Sequence, residues 1–177
     1  MAGSETKAPA DSGIGDNREY GIGRRLVGKN YTTPDQMAKV TGTGTADKPW
    51  ELKTPPGTAD FQAYRAEDAD PPALVVQVGK TQLRYHLRCI EDLHAMLQKS
   101  GDWVPLGSAD EQKPAAEGTV EAWGRAADNP VKGWYGLKKG LRGRFGMYVP
   151  PVLEVLGLAE VEHHPKNNRM RALPRKK

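Results

Sequence analysis

The stretch Ala73-Leu74-Val75-Val76-Gln77-Val78-Gly79-Lys80-Thr81-Gln82-Leu83-Arg84-Tyr85-His86-Leu87 decides the fold class. Ala73 to Val78 is a run rich in β-branched residues between Pro72 and Gly79, which reads as a buried strand. Gly79-Lys80 supplies a two-residue turn of the Gly-X kind. On the return, Leu83, Tyr85 and Leu87 point one way while Gln82, Arg84 and His86 point the other, the period of a half-buried strand. An antiparallel hairpin follows, and the rest of the chain is placed around it.

Downstream, Ile90, Leu93, Met96 and Leu97 recur at helical spacing before Gly101. This predicts a helix over Cys89 to Lys99 that covers one face of the hairpin. Upstream, Phe61 to Tyr64 reads as a short strand and Glu67 to Pro72 as an acidic loop. Trp50-Glu51-Leu52-Lys53 before the rigid turn Thr54-Pro55-Pro56-Gly57 reads as an anchored, extended entry to the fold. Ser108 and Glu111 have the spacing of a capping box, with Pro114 limiting any helix there to a turn. Val120 and Trp123 give the apolar side of a helix near Glu117 to Arg125, which Asn129-Pro130 breaks.

In the carboxyl-terminal third, Leu137, Leu141 and Phe145 lie four apart, but Gly136, Gly140, Gly143 and Gly146 cut across the same segment. Each glycine costs about 1 kcal/mol in a helix interior, so short helices and turns are expected. Val149 to Leu156 reads as a helix with Pro150 and Pro151 in its first turn and Gly157 as its stop. Ala159 to Glu162 and Met170 to Leu173 flank the polar turn His163 to Arg169, a hairpin with a basic tip. A helix, then Leu156-Gly157-Leu158, then a hairpin resembles the last part of winged-helix domains. The resemblance implies that the helix reads nucleic acid and that the hairpin is the wing.

The expected architecture is α+β: a small antiparallel β-hairpin sheet with a covering helix, then a helical winged-helix-like C-terminal module. Its expected parts are a disordered tail over 1–46, a hairpin-plus-helix subdomain over 47–107, the helical module over 108–173 and a basic tail over 174–177. Residues 1–46 hold too few large apolar side chains to offset chain entropy. Thr33-Pro34-Asp35-Gln36 is the exception, with N-cap, N1 and N3 signals for one short helix closing at Gly42.

The net charge of +4 hides a segregated distribution. From Lys132 onward eleven Lys and Arg face three Glu, a net +8, which leaves −4 for the preceding residues. A fold that separates charge in this way offers one face to polyanions. The plainer reading is a basic tail that aids solubility. A mean hydropathy of −0.68 and no apolar run long enough to span a bilayer argue against a membrane protein. The start MAGSETKAPADSG lacks the pattern of a secretory signal, and the single Cys89 cannot form an internal disulfide, so the cytoplasm is the expected compartment.

These features nominate Lys138, Lys139, Arg142 and Arg144 for phosphate contacts, with Lys166, Arg169 and Arg171 on the wing. The helix at Val149 to Leu156 carries Glu154 as its only charge, whereas base-reading helices expose Arg, Asn, Gln or Ser. Largely non-sequence-specific nucleic-acid binding is therefore the leading expectation. The alternative is a protein-interaction or assembly module that uses the apolar helix face and a basic rim. Trp134, Tyr135 and Phe145 interleave with the cations and could stack on bases, although Trp134 and Phe145 read more simply as core.

His86, Cys89 and His94 lack the paired spacing of a zinc site. Cys89 has no identifiable oxyanion partner, Glu51-x-Lys53 lacks an acidic partner, and His163-His164 reads as a solvated turn. No catalytic residue, metal or cofactor is assigned. An enzyme would need a closed polar pocket with shifted acid or base groups. The oligomeric state is open.

Two further resemblances are present. Arg25-Leu26-Val27-Gly28-Lys29 and Ala38-Lys39-Val40-Thr41-Gly42 resemble the opening of the large molybdenum-binding subunits of the xanthine dehydrogenase family, a match too short to carry any cofactor site. Lys48-Pro49-Trp50, Gly101-Asp102-Trp103-Val104-Pro105-Leu106-Gly107 and Asn167-Asn168-Arg169-Met170-Arg171 make residues 43–173 similar to small actinobacteria-type proteins of unassigned function. That resemblance implies one coherent unit and supplies no activity.

Overall fold

The computed structural model describes residues 40–175. Four strands, β1 (Trp50–Lys53), β2 (Asp60–Ala66), β3 (Ala73–Val78) and β4 (Thr81–His86), form an antiparallel sheet in the order β1-β2-β3-β4. The expected hairpin is β3–β4, with Val76 opposite Leu83 and Leu74 opposite Tyr85. Two strands extend it, because the Thr54–Gly57 turn folds Trp50–Lys53 back onto β2, pairing Trp50 with Ala63 and Leu52 with Phe61. Alternation then collects Trp50, Leu52, Phe61, Ala63, Leu74, Val76, Leu83 and Tyr85 on one buried face. The opposite face carries the row Glu51, Gln62, Gln77 and Gln82.

Most of the expected tail, and the short helix at Thr33, lie outside the described residues. Its last part is held by the sheet: the Glu51 N–H donates to the Thr41 carbonyl at 3.1 Å, and Gly44 packs on the Trp50 ring, which a Cβ there would meet at 2.2 Å.

After β4 come α1 (Cys89–Ser100), β5 (Val104–Pro105), α2 (Val120–Trp123), α3 (Phe145–Val155), β6 (Ala159–Val161) and β7 (Arg169–Ala172). The last three strands form a second antiparallel sheet in the order β5-β7-β6. The α2 helix starts where the Thr119 hydroxyl accepts the Ala122 N–H at 3.1 Å. No helix forms at Ser108–Glu111, because the Glu111 carboxylate pairs with Arg142 instead of closing a capping box.

The α3 helix begins at Phe145, ahead of the expected Val149. Arg144, at φ 62°, turns the chain into it. Gly146 suits the first turn for a spatial reason: a Cβ there would stand 2.4 Å from the Leu106 carbonyl oxygen.

The helix covering the first sheet is α3, not α1. Tyr148 meets Phe61 edge-on at 5.1 Å between ring centroids, and Phe145 meets Tyr85 at 5.7 Å. The α1 helix packs chiefly on α3 and β7, burying Leu93 and Leu97. With sheet on one side and α1 and β6 on the other, α3 is covered nearly all round, as its continuous apolarity requires. One hydrophobic cluster joins both sheets.

A last strap closes the edge of β4. The His86 N–H donates to the Tyr135 carbonyl at 2.9 Å and the Leu137 N–H to the Arg84 carbonyl at 2.8 Å. The buried Tyr85 hydroxyl donates to the Gly143 carbonyl at 2.9 Å. These bonds fix both ends of the glycine-rich basic loop.

Candidate nucleic-acid interface

Between strap and helix, Lys138, Lys139 and Gly140 are exposed, and so is Arg144 at the start of α3. Met147 lines a groove of about 660 Å³ whose other walls include Pro55, Pro56, Ser108 and the β6–β7 turn with Lys166. Lys166 is exposed at that turn. Lys138 and Lys139, next to the edge of β4, Arg144 at the start of α3, 3.9 Å from Asp110, and Lys166 beside the β1–β2 turn are thus exposed.

The other three nominated arginines each pair with a glutamate, Arg169 and Arg171 keeping 46% and 38% of their side chains accessible. Arg142 pairs with Glu111 and lies 4.4 Å from the Trp134 ring centre. Arg125 lies 4.3 Å from the same ring, so Trp134 sits between two guanidinium groups. Arg125 also donates to the carbonyls of Ala109 and Lys113 and to Glu121 at 2.8 Å, which ties the 109–113 loop to α2. Glu121 is buried, and its other oxygen accepts the Gly146 N–H at 3.1 Å, positioning the first turn of α3. Burial outweighs these donors and raises the Glu121 carboxyl above the ordinary range.

On the hairpin, Arg169 pairs with Glu162 at 2.6 Å and Arg171 with Glu160 at 3.1 Å. Both guanidinium groups flank Trp103, at 5.1 and 4.6 Å from its ring centre. The three-stranded sheet therefore presents a ladder of alternating charge around an indole, with Val104, Val161 and Met170 on its core side. Burial alone would raise the Glu162 carboxyl, but Arg169, with His164 nearby, outweighs it and holds it below the ordinary carboxylate range.

Sequence reading did not single out Glu160, Glu162 or Arg125. The first two were visible as the period-two pattern Glu160-x-Glu162 against Arg169-x-Arg171, a cross-strand charge match. Arg125 left no such signal, since its partners are mainly backbone carbonyls. Trp134 is half-buried and held by the arginines, Tyr135 and Phe145 are core, and the aromatic part of the patch is structural.

The remaining candidates are placed as follows. The Cys89 thiol is fully buried, and burial pushes it far above the ordinary thiol range. His94 is buried and bonds the Leu173 carbonyl through Nε2 at 2.9 Å. His163 spans the Glu154 carboxylate at 2.7 Å and the Pro55 carbonyl at 2.9 Å, joining hairpin, α3 and first sheet. Among the described residues, no group of three or more His, Cys, Asp or Glu side chains could hold a metal ion. None of their helices is long and apolar enough to cross a membrane.

Fold and surface together define an α+β protein with a lysine-bearing loop and hairpin beside a sealed central helix. The chain belongs to a family of unknown function, DUF6855, whose pattern matches residues 42–173. Comparisons with curated proteins and with solved structures return no match. The likeness of residues 25–42 to molybdenum-binding subunits meets the family span only at Gly42.

Proposed function

We propose that this protein binds nucleic acid through the phosphate backbone, without reading bases, using a winged-helix-like module. The observation that carries the reading is the exposure of Lys138, Lys139 and Arg144 in the loop that enters α3 and of Lys166 in the β6–β7 turn. The order α1-β5-α2-α3-β6-β7, with β5 beside the last strand, supports the winged-helix comparison. In such domains the third helix and the hairpin after it face the duplex. Here α3 is buried beneath the first sheet and cannot enter a groove, which leaves flanking cations and no base-reading surface. Arg142, Arg169 and Arg171 support the loop and wing through their glutamate partners, and a cytoplasmic location completes the reading.

Fluorescence anisotropy with labelled duplexes of unrelated sequence tests it. Micromolar binding is expected at about 50 mM salt, falling steeply as salt rises, with similar affinity for every sequence. Absence of binding at that salt, or binding insensitive to it, would overturn the proposal. The protein-interaction alternative loses the α3 face to burial.

A further inference from the structure

The groove beside Met147 is bounded by the β1–β2 turn at Pro55 and Pro56 and by the β6–β7 turn at Pro165, Lys166 and Asn167. These turns belong to different sheets, and His163 bonds from the second to the first. Its Nδ1 lies 2.9 Å from the Pro55 carbonyl oxygen, and its Nε2 lies 2.7 Å from a Glu154 carboxylate oxygen on α3. A carbonyl oxygen only accepts, and so does an ionised carboxylate. Each contact therefore needs a proton on the nitrogen that faces it, and a ring protonated on both nitrogens is the imidazolium cation.

The charges around the ring favour that form. From α3 it meets the Glu154 carboxylate, whose side chain is 12% accessible. From the β1–β2 turn it meets an uncharged carbonyl, and Lys53 and Asp60 at the base of that turn pair with each other at 2.6 Å. On its own hairpin, Glu162 is held by Arg169 and lies 3.9 Å from His164, while Lys166 is exposed at the tip. Burial works against the charge, but Glu154 and the Pro55 carbonyl outweigh it. A neutral imidazole has one N–H and keeps one of the two bonds. The bond to the carboxylate is charge-assisted, so Nε2 retains its proton. Nδ1 then turns a lone pair toward the Pro55 carbonyl oxygen, and the two repel. Gly57 and Thr58 of this turn are exposed, so water can enter and replace the ring at the carbonyl.

We infer that His163 is a proton-operated latch on this groove. Charged, it holds the β1–β2 turn against the β6–β7 turn; neutral, it releases Pro55 and the groove widens. The latch stands apart from nucleic-acid binding and is read on the protein alone. Nuclear magnetic resonance of the nitrogen-labelled full chain reports the ring, whose signals are assigned by correlation to the His163 backbone. Both ring nitrogens should carry a proton at about pH 6, and Nδ1 alone should lose it as pH rises to about 9. Spin labels on Thr58→Cys and Lys166→Cys, both exposed positions, report the groove, while the fully buried Cys89 stays unlabelled. Their separation should lengthen by about 3 Å between these pH values, the span of one inserted water. In His163→Gln, whose amide does not titrate, the separation should be the same at both. Loss of the proton from Nε2 instead of Nδ1, a separation that does not change with pH, or a change that persists in His163→Gln would overturn the inference. Should His163→Gln fail to fold, the ring signals and the labelled chain with His163 in place decide the matter.

Discussion

Glu162 and Arg169 face each other across the β6–β7 hairpin with 2.6 Å between Oε1 and Nη2, and the Glu162 carboxylate also accepts the Arg169 backbone N–H at 2.9 Å. The carboxylate side is only 3% accessible, the guanidinium side 46%. Removing the cation strands a buried charge, whereas neutralising the acid leaves a buried amide that still hydrogen-bonds. Arg169→Ala should therefore cost about 3 kcal/mol and Glu162→Gln about 1 to 2 kcal/mol. Urea denaturation measures both, and equal costs would show that the asymmetry of burial does not govern the pair.

The pH dependence has two separate windows. Burial pulls the His163 imidazole down, but the Glu154 carboxylate and the Pro55 carbonyl more than offset it and raise its pKa above the ordinary 6.5. Its contribution is complete below that value and is lost as pH rises through the folded-state pKa. Glu162 is depressed below the ordinary 4.5, so its contribution is complete above that value and is lost as pH falls through the folded-state pKa. Thermal unfolding across pH should show a decline on the alkaline side that His163→Gln flattens. A decline unchanged in that variant would remove His163 as its source.

Loop lysines and arginines should separate in binding experiments. Lys138→Ala, Lys139→Ala and Lys166→Ala are each expected to lower the salt slope of nucleic-acid binding by up to about one unit while leaving stability within about 0.5 kcal/mol. Arg142→Ala should do the reverse, since Arg142 pairs with Glu111 and stacks on Trp134. Its loss should lower stability and change the environment of Trp134, visible in tryptophan emission. A slope lowered by Arg142→Ala alone would place the contact on the wrong residues.

Two glycines of α3 and its exit should respond differently to a methyl group. At Gly157, φ is 73° with open space around the Cα, so Gly157→Ala should cost about 1 kcal/mol for the left-handed backbone. At Gly146 the methyl would collide with the carbonyl oxygens of Leu106 and Gly107 at 2.4 and 2.7 Å, and the Leu106 carbonyl is held in place by the Glu121 N–H at 2.9 Å. Gly146→Ala is expected to cost at least about 3 kcal/mol. Circular dichroism on heating compares the pair, and similar melting temperatures would contradict the close approach.

The strands and helix around the opening hairpin were legible because alternation and helical spacing report which side of an element is buried. The β3–β4 turn fell on Gly79-Lys80, and α1 closed at Gly101, as the residue types require. What could not be read were features whose cause lies elsewhere in the chain. β5 is two residues long, too short for a period, and exists because β7 pairs with it. The early start of α3 depends on a left-handed Arg144 and on Glu121 receiving the Gly146 N–H, a contact 25 residues apart. The cations of the candidate site were visible as a charge count. Which of them take a glutamate partner was not, because that rests on Glu111 and Trp134 for Arg142 and on Glu160, Glu162 and Trp103 for Arg171 and Arg169.

The strap along β4 also sets an order of events during synthesis. Tyr85 finds its acceptor, Gly143, 58 residues further along the chain. Until that segment leaves the ribosome, β4 is a bare edge with unpaired amides beside a hydrophobic face that still lacks α3, the condition under which nascent strands pair with the wrong neighbour. Truncated chains ending before Tyr135 are therefore expected to aggregate or to require a chaperone, while the first sheet becomes safe to release only when the basic loop has been made.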